Sequence, residues 1–204
     1  KGFTKGFKRE KDFTPVFDMG VTGSVDGINW EIRGCVQKEE KNTYRSKWRE
    51  YTLYNEQHGF AFLSEFDGHW TFLREQAETP VLYAESIKDF TYGGEPFTLF
   101  NKYQYKVITA AGEFPYDVFN NKDTEAREYI SPPEIWIREK NKQLGLRWYF
   151  GRHISKKEIK KAFPLAYTLP YRIGTGAVQP TGYKHPLKLG VAIFFSVFTL
   201  IVMH

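Results

Sequence analysis

The chain has 204 residues, one cysteine and a formal net charge of +5, so it can bury a core without covalent staples. Hydrophobic residues reach 41% and aromatics 18%, which excludes a disordered chain. A lone Cys35 excludes a disulfide framework and a Cys-rich zinc site. The charge is uneven: residues 151–204 hold eight bases against one acid, a balance of +7, which leaves −2 for the rest. Residues 51–100 hold two bases and eight acids. A duplex-binding domain spreads Lys and Arg over its folded face, so nucleic acid is not the expected partner.

In chain order, residues 1–16 are polar and basic and read as a linker or ordered arm. From 17 onward the texture is strand-like. Asn29-Trp-Glu-Ile-Arg-Gly-Cys-Val36 alternates apolar and polar residues, with an irregularity at Gly34. Trp48-Arg-Glu-Tyr-Thr-Leu-Tyr-Asn55 is rich in β-formers and runs into the turn Asn55-Glu-Gln-His-Gly59. Phe60 to Phe66, the turn Asp67-Gly68 and His69 to Leu73 complete an antiparallel meander. Near the end, Ser155-Lys-Lys-Glu158 is a capping box with Ile154 and Ile159 as its staple, predicting a helix over 155–163. Ile159 and Phe163 form its apolar face, and Pro164 ends it. Lys156, Lys157, Lys160 and Lys161 cover most of the rest, as a solvated face or as lipid-facing charges.

Residues 165–185 read as a juxtamembrane linker. Leu189 to His204 carries no Asp, Glu, Lys or Arg and lacks the polar stripe of a soluble core helix. These positions span about 24 Å against a hydrocarbon core of about 30 Å. Residues 186–204 are therefore expected to be a transmembrane helix. With Lys1 in place of an initial Met, the chain reads as a piece of a longer polypeptide cut within or just after that span. Lys184 and Lys188 flank the apolar run and are expected to face anionic lipid head groups. They put residues 1–185 in the cytoplasm, at a cell inner membrane.

The body repeats. Gly27-Ile-Asn-Trp30, Trp48-Arg-Glu-Tyr51, Phe62-Leu-Ser-Glu65 and Gly68-His-Trp70 recur as Lys102 to Val107 around Tyr105, Ala126-Arg-Glu-Tyr129, Trp136-Ile-Arg-Glu139 and Gly145-Leu-Arg-Trp148. The offsets are 75 from Trp30 to Tyr105 and 78 from Glu50 to Glu128 and from Trp70 to Trp148. The expected fold is all-β and mainly antiparallel, an internally duplicated meander with copies near 17–80 and 97–154. The copies would pack as a sandwich or as paired barrel-like halves within a 17–164 domain, followed by the amphipathic helix and the membrane span.

Trp48-x-Glu50-Tyr51, Phe62-Leu-x-Glu65, Gly68-x-Trp70, Gly112-Glu-Phe-Pro-Tyr116, Glu128-Tyr-Ile-x-Pro-Pro133, Glu139 and Trp148 to Ile154 together resemble a bacterial family, domain of unknown function 4178. The resemblance covers residues 17–164. It implies membrane helices after the domain and a setting near polyamine-synthase-like and small membrane proteins of the envelope. It carries no catalytic residues. The zinc-ribbon-like segment that often precedes the domain has no counterpart here, since Cys35 stands alone.

No pair among the five histidines has helical zinc spacing, and there is no P-loop or strand-borne GxGxxG. Cys35 reads as a small buried hydrophobe. The carboxylates carry the chemistry that is legible. Glu50, Glu65, Glu128 and Glu139 each sit beside aromatics in strands, either as raised-pKa acids and bases or as hydrogen-bond acceptors of neighbouring strands. Glu113-Phe114-Pro115-Tyr116 is either a strand-ending turn or a loop presenting its two aromatics. The expected function is a membrane-anchored interaction, scaffold or sensor module of a membrane-associated assembly, with envelope stress as its setting. Its partner would be a membrane protein or a second copy, and no cofactor, metal or catalysis is expected. The alternative is a membrane-proximal enzyme, or a domain binding a polyamine-like cation through the repeated Glu residues. That alternative predicts a deep pocket holding at least two of Glu50, Glu65, Glu113, Glu128 and Glu139.

Overall fold

Two-residue turns with both central residues at positive φ set the tight hairpins. Asp26-Gly27 has φ values of 54° and 76°, and Asp67-Gly68 has 49° and 74°, the combination whose twist matches paired strands. The computed structural model describes residues 4–8, 13–80, 87–119, 123–164 and 168–180. These residues form β1 (Thr4–Lys8), β2 (Thr22–Val25), β3 (Ile28–Glu40), β4 (Lys47–Asn55), β5 (Gly59–Phe66), β6 (His69–Glu75), β7 (Asp89–Tyr92), β8 (Glu95–Phe114), β9 (Thr124–Ser131), β10 (Glu134–Asn141), β11 (Gly145–Ile154) and α1 (Lys156–Ala162). The capping box of α1 is formed, with Ser155 accepting from the Glu158 amide.

Two antiparallel meanders, β3–β6 and β8–β11, make one closed eight-stranded barrel. This differs from the expected sandwich or paired halves. The free edges of the meanders pair with each other, β6 with β11 and β3 with β8, and closure removes both edges. The β3–β8 seam requires glycine. Gly34 and Gly112 face each other, Gly112 has φ +106°, and a Cβ there would lie 2.3 Å from the Arg33 carbonyl oxygen. Strands β1, β2 and β7 add to the outside through β8, β3 and β8 respectively.

The outside of the first meander is covered by Phe13, Val16 and Phe17 and by Ile159 and Phe163, which bury Trp30, Tyr51, Leu63 and Trp70. The β7–β8 hairpin covers the second, with Phe90 and Phe97 over Tyr129, Trp136 and Trp148. The two packings have nearly the same geometry. Tyr51 stacks on Trp70 at 6.2 Å and 26°, and Tyr129 on Trp148 at 6.1 Å and 28°. Phe17 and Phe90 meet those tyrosines edge-on at 5.1 and 5.0 Å.

Among the described residues no helix is long and apolar enough to cross a membrane. The expected span at 186–204, with Lys184 and Lys188, lies outside the described residues.

Candidate functional site

Side chains alternate across each strand, so one parity points into the barrel. Inward residues enclose a cavity of about 580 Å³. Strand β4 supplies Trp48 and Glu50, β9 supplies Glu128, and β10 supplies Ile135, Ile137 and Glu139. Strand β3 adds Lys38 and Glu40, β8 adds Tyr103, and β6 adds Thr71 and Leu73. The chain after α1 returns over the opening. The Ile173 amide donates to the Asp67 carbonyl at 3.0 Å, and Val178 packs among Phe62, Leu73, Ile135 and Tyr149.

The charge inside is unbalanced. Lys38 Nζ lies 2.8 Å from Glu50 and 3.8 Å from Glu139, and its side chain is 5% exposed. Burial opposes its charge, but those two carboxylates outweigh burial and push its pKa well up. One ammonium thus serves two acids. Burial raises the Glu50 carboxyl pKa, against the pull of Lys38. Glu128 has no cation within ion-pairing distance among the described residues; it accepts the Tyr103 hydroxyl at 2.7 Å. Burial raises its pKa too, and the nearby charges of Glu40 and Glu139 add to the rise. Glu139 accepts the Tyr105 hydroxyl at 2.7 Å. Two further polar atoms of cavity-lining residues are buried without a partner among the described residues, Gln179 Oε1 and His69 Nδ1. His69 Nε2–H donates to the Ile173 carbonyl at 3.0 Å, which leaves Nδ1 as an acceptor.

The structure separates the residues expected at the site. Trp48, Glu50, Glu128 and Glu139 come together in the cavity. Tyr51, Trp70, Tyr129 and Trp148 point outward and are buried beneath the covering segments. Glu65 also points outward, pairing with Arg49 at 2.9 Å and accepting from the Gly68 amide at 2.7 Å, so it organises the β5–β6 turn. Beside it lies a recess of about 440 Å³ lined by Phe13, Arg49 and Tyr171. Glu113 pairs with Arg33 at the surface. Phe114 is not presented to a partner: it is 1% exposed and packs with Val36, Ala110 and Val118. Pro115 follows it at the end of β8, and Tyr116 is half-buried under the Arg147 guanidinium at 4.6 Å. Lys156 donates to the Pro170 carbonyl, while Lys157, Lys160 and Lys161 are exposed. Cys35 is fully buried and its thiol pKa is driven up by desolvation, which removes it as a nucleophile.

Lys38, Tyr103 and Glu40 were not singled out in the sequence. Lys38 and Glu40 continue the alternation from Val36, and a lysine at an inward parity was the available signal. Among the described residues no group of three His, Cys, Asp or Glu side chains is placed to hold a metal ion. The cavity can hold a hydrogen-bond donor bearing positive charge: among the described residues its lining has four glutamates and unpartnered acceptors against one ammonium, Lys38, which is committed to Glu50 and Glu139. A family model described as Domain of unknown function (DUF4178) matches residues 18–156, from the residues just before β2 to the first residue of α1. No curated protein and no solved structure matches the chain.

Proposed function

This chain belongs to the DUF4178 family, and from that premise we propose that its barrel binds a small organic cation, of which a polyamine is the simplest case. One observation carries the reading. In a single cavity of about 580 Å³, Glu40, Glu50, Glu128 and Glu139 face Lys38, the one ammonium lining it among the described residues. That volume lies within the range of small-molecule sites, and a guest cation would offset the burial, and the like-charge crowding that adds to it, that raise the Glu50 and Glu128 carboxyl pKa values. Three of the five Glu residues expected in a deep pocket share this one. The outward aromatics are covered by the molecule's own segments, which moves weight from the outer surface to the interior.

We place this ligand-receiving barrel in a sensor tethered at the cytoplasmic face of an inner membrane. The apolar run at 189–204 and its Lys184 and Lys188 flank support the tether. Isothermal titration with putrescine and spermidine at two salt concentrations tests the binding. Saturable binding that weakens at least tenfold in Glu128→Gln is expected. A folded protein that takes neither of these cations, nor any other small amine, would overturn the reading. Cell fractionation of the full-length protein tests the tether: recovery in the soluble fraction refutes it.

A further inference from the structure

The barrel interior is divided lengthwise. Around its circumference β9, β8, β3 and β4 are neighbours and contribute Glu128, Tyr103, Lys38 and Glu50. The opposite run, β5, β6, β11 and β10, contributes Phe62, Leu73, Tyr149, Ile135 and Ile137, which pack as one apolar cluster, and β10 also carries Glu139, which faces Lys38. The chain itself shows what this second wall accepts, because Val178 is seated there and is 4% exposed. The cavity lining also includes two large apolar side chains that remain exposed, Phe66 at 46% and Phe100 at 52%. An entrance of that kind suits a guest with hydrocarbon of its own.

Resting on the cation-binding reading, we infer that the ligand is an amphipathic organic amine, with one ammonium group joined to an apolar body. The ammonium sits at Glu128. Lys38 is engaged by Glu50 and Glu139, whereas Glu128 has a neutral hydroxyl as its partner. The Tyr103 oxygen donates its proton to Glu128 and keeps lone pairs for an ammonium N–H. The buried, unpartnered Gln179 Oε1 is a further acceptor in the same lining. The apolar body lies along Leu73, Ile135 and Ile137. A linear diamine or polyamine fits less well, because Glu139, the carboxylate that β10 adds to this lining, is already engaged by Lys38 and the Tyr105 hydroxyl, and a second charge would fall among Leu73, Ile135 and Ile137.

The test compares two probes of equal length on the full chain, octylamine and 1,8-diaminooctane, by isothermal titration below the micellar range. The expected result is at least tenfold tighter binding of octylamine, lost in Glu128→Gln. Ile137→Thr, which puts a hydroxyl where an ethyl group lay, should weaken octylamine by about tenfold or more and leave the affinity for the diamine unchanged. Equal or tighter binding of the diamine overturns the inference and leaves the cation reading standing. If neither amine binds the unmutated, folded protein, both fall. The probe comparison needs no substitution, so a poorly folded variant does not blunt it.

Discussion

Replacing Lys38 by Met probes the charge arrangement directly. The Lys38 side chain is 5% exposed, and its carboxylate neighbours Glu50 and Glu139 are 13% and 14% exposed. Removing one member of a buried pair strands the other and typically costs about 3–5 kcal/mol. Here two carboxylates are stranded, with Glu128 in the same cavity, so the upper part of that range is expected. For a chain of this size the loss corresponds to a fall in Tm of roughly 6–20 °C. Urea unfolding of Lys38→Met, Glu50→Gln and the double variant closes a thermodynamic cycle, with an expected coupling of about 1–3 kcal/mol. The penalty also depends on pH. Burial already raises the Glu50 carboxyl pKa, and without Lys38 it rises further, so the stranded Glu50 takes up a proton more readily as pH falls. The cost of Lys38→Met therefore shrinks as pH falls. A loss under about 1 kcal/mol, or one that does not change between about pH 8 and pH 5, would refute the reasoning.

Glu128→Gln should flatten the pH profile of the ligand-free protein. Its folded pKa is raised by burial, so the native state holds this proton longer than the unfolded chain. Stability from this group is lost as pH rises from about 4.3 through the raised value, and an unchanged urea-unfolding slope in the variant would count against a buried carboxylate. Gly112→Ala should destabilise by at least about 1–3 kcal/mol, because the new Cβ would strike the β3 backbone at the barrel seam. Thermal unfolding close to that of the unmutated protein would refute that close approach. Phe17→Ala should cost about 3–5 kcal/mol and reduce near-ultraviolet circular dichroism, because Phe17 contacts Tyr51, Trp70 and Phe163 while 1% exposed. A neutral result would mean that the segment before β2 does not cover the barrel wall in solution.

The repeat shows where sequence reading succeeds and where it slips. Matches separated by 78 residues share a face: Glu50 and Glu128 line the cavity, and Trp70 and Trp148 pack outside. The match of Glu65 with Glu139, 74 residues apart, and that of Trp30 with Tyr105, 75 apart, do not. Glu65 and Trp30 lie outside, whereas Glu139 lines the cavity and the Tyr105 hydroxyl meets it there. A strand alternates with a period of two, so one residue of slip turns a side chain to the other face. For Trp30 the slip is the bulge between Ile32 and Gly34 on β3; for Glu65 and Glu139 it is the hairpin loop before each strand, three residues between the paired Asn55 and Gly59 but two between Ser131 and Glu134.

Local chemistry was sufficient for the antiparallel strands, the Asp67-Gly68 turn and the capped helix, because each depends on residues within a few positions of one another. The candidate site depends on distance in sequence. Lys38, Glu50, Glu128 and Glu139 meet because β3 closes on β8 and β6 on β11, and no short-range pattern states those pairings. Composition along the chain places carboxylates in strands. Closure of the barrel decides which of them are withdrawn from water and which, as Glu50 and Glu139, are left to share Lys38.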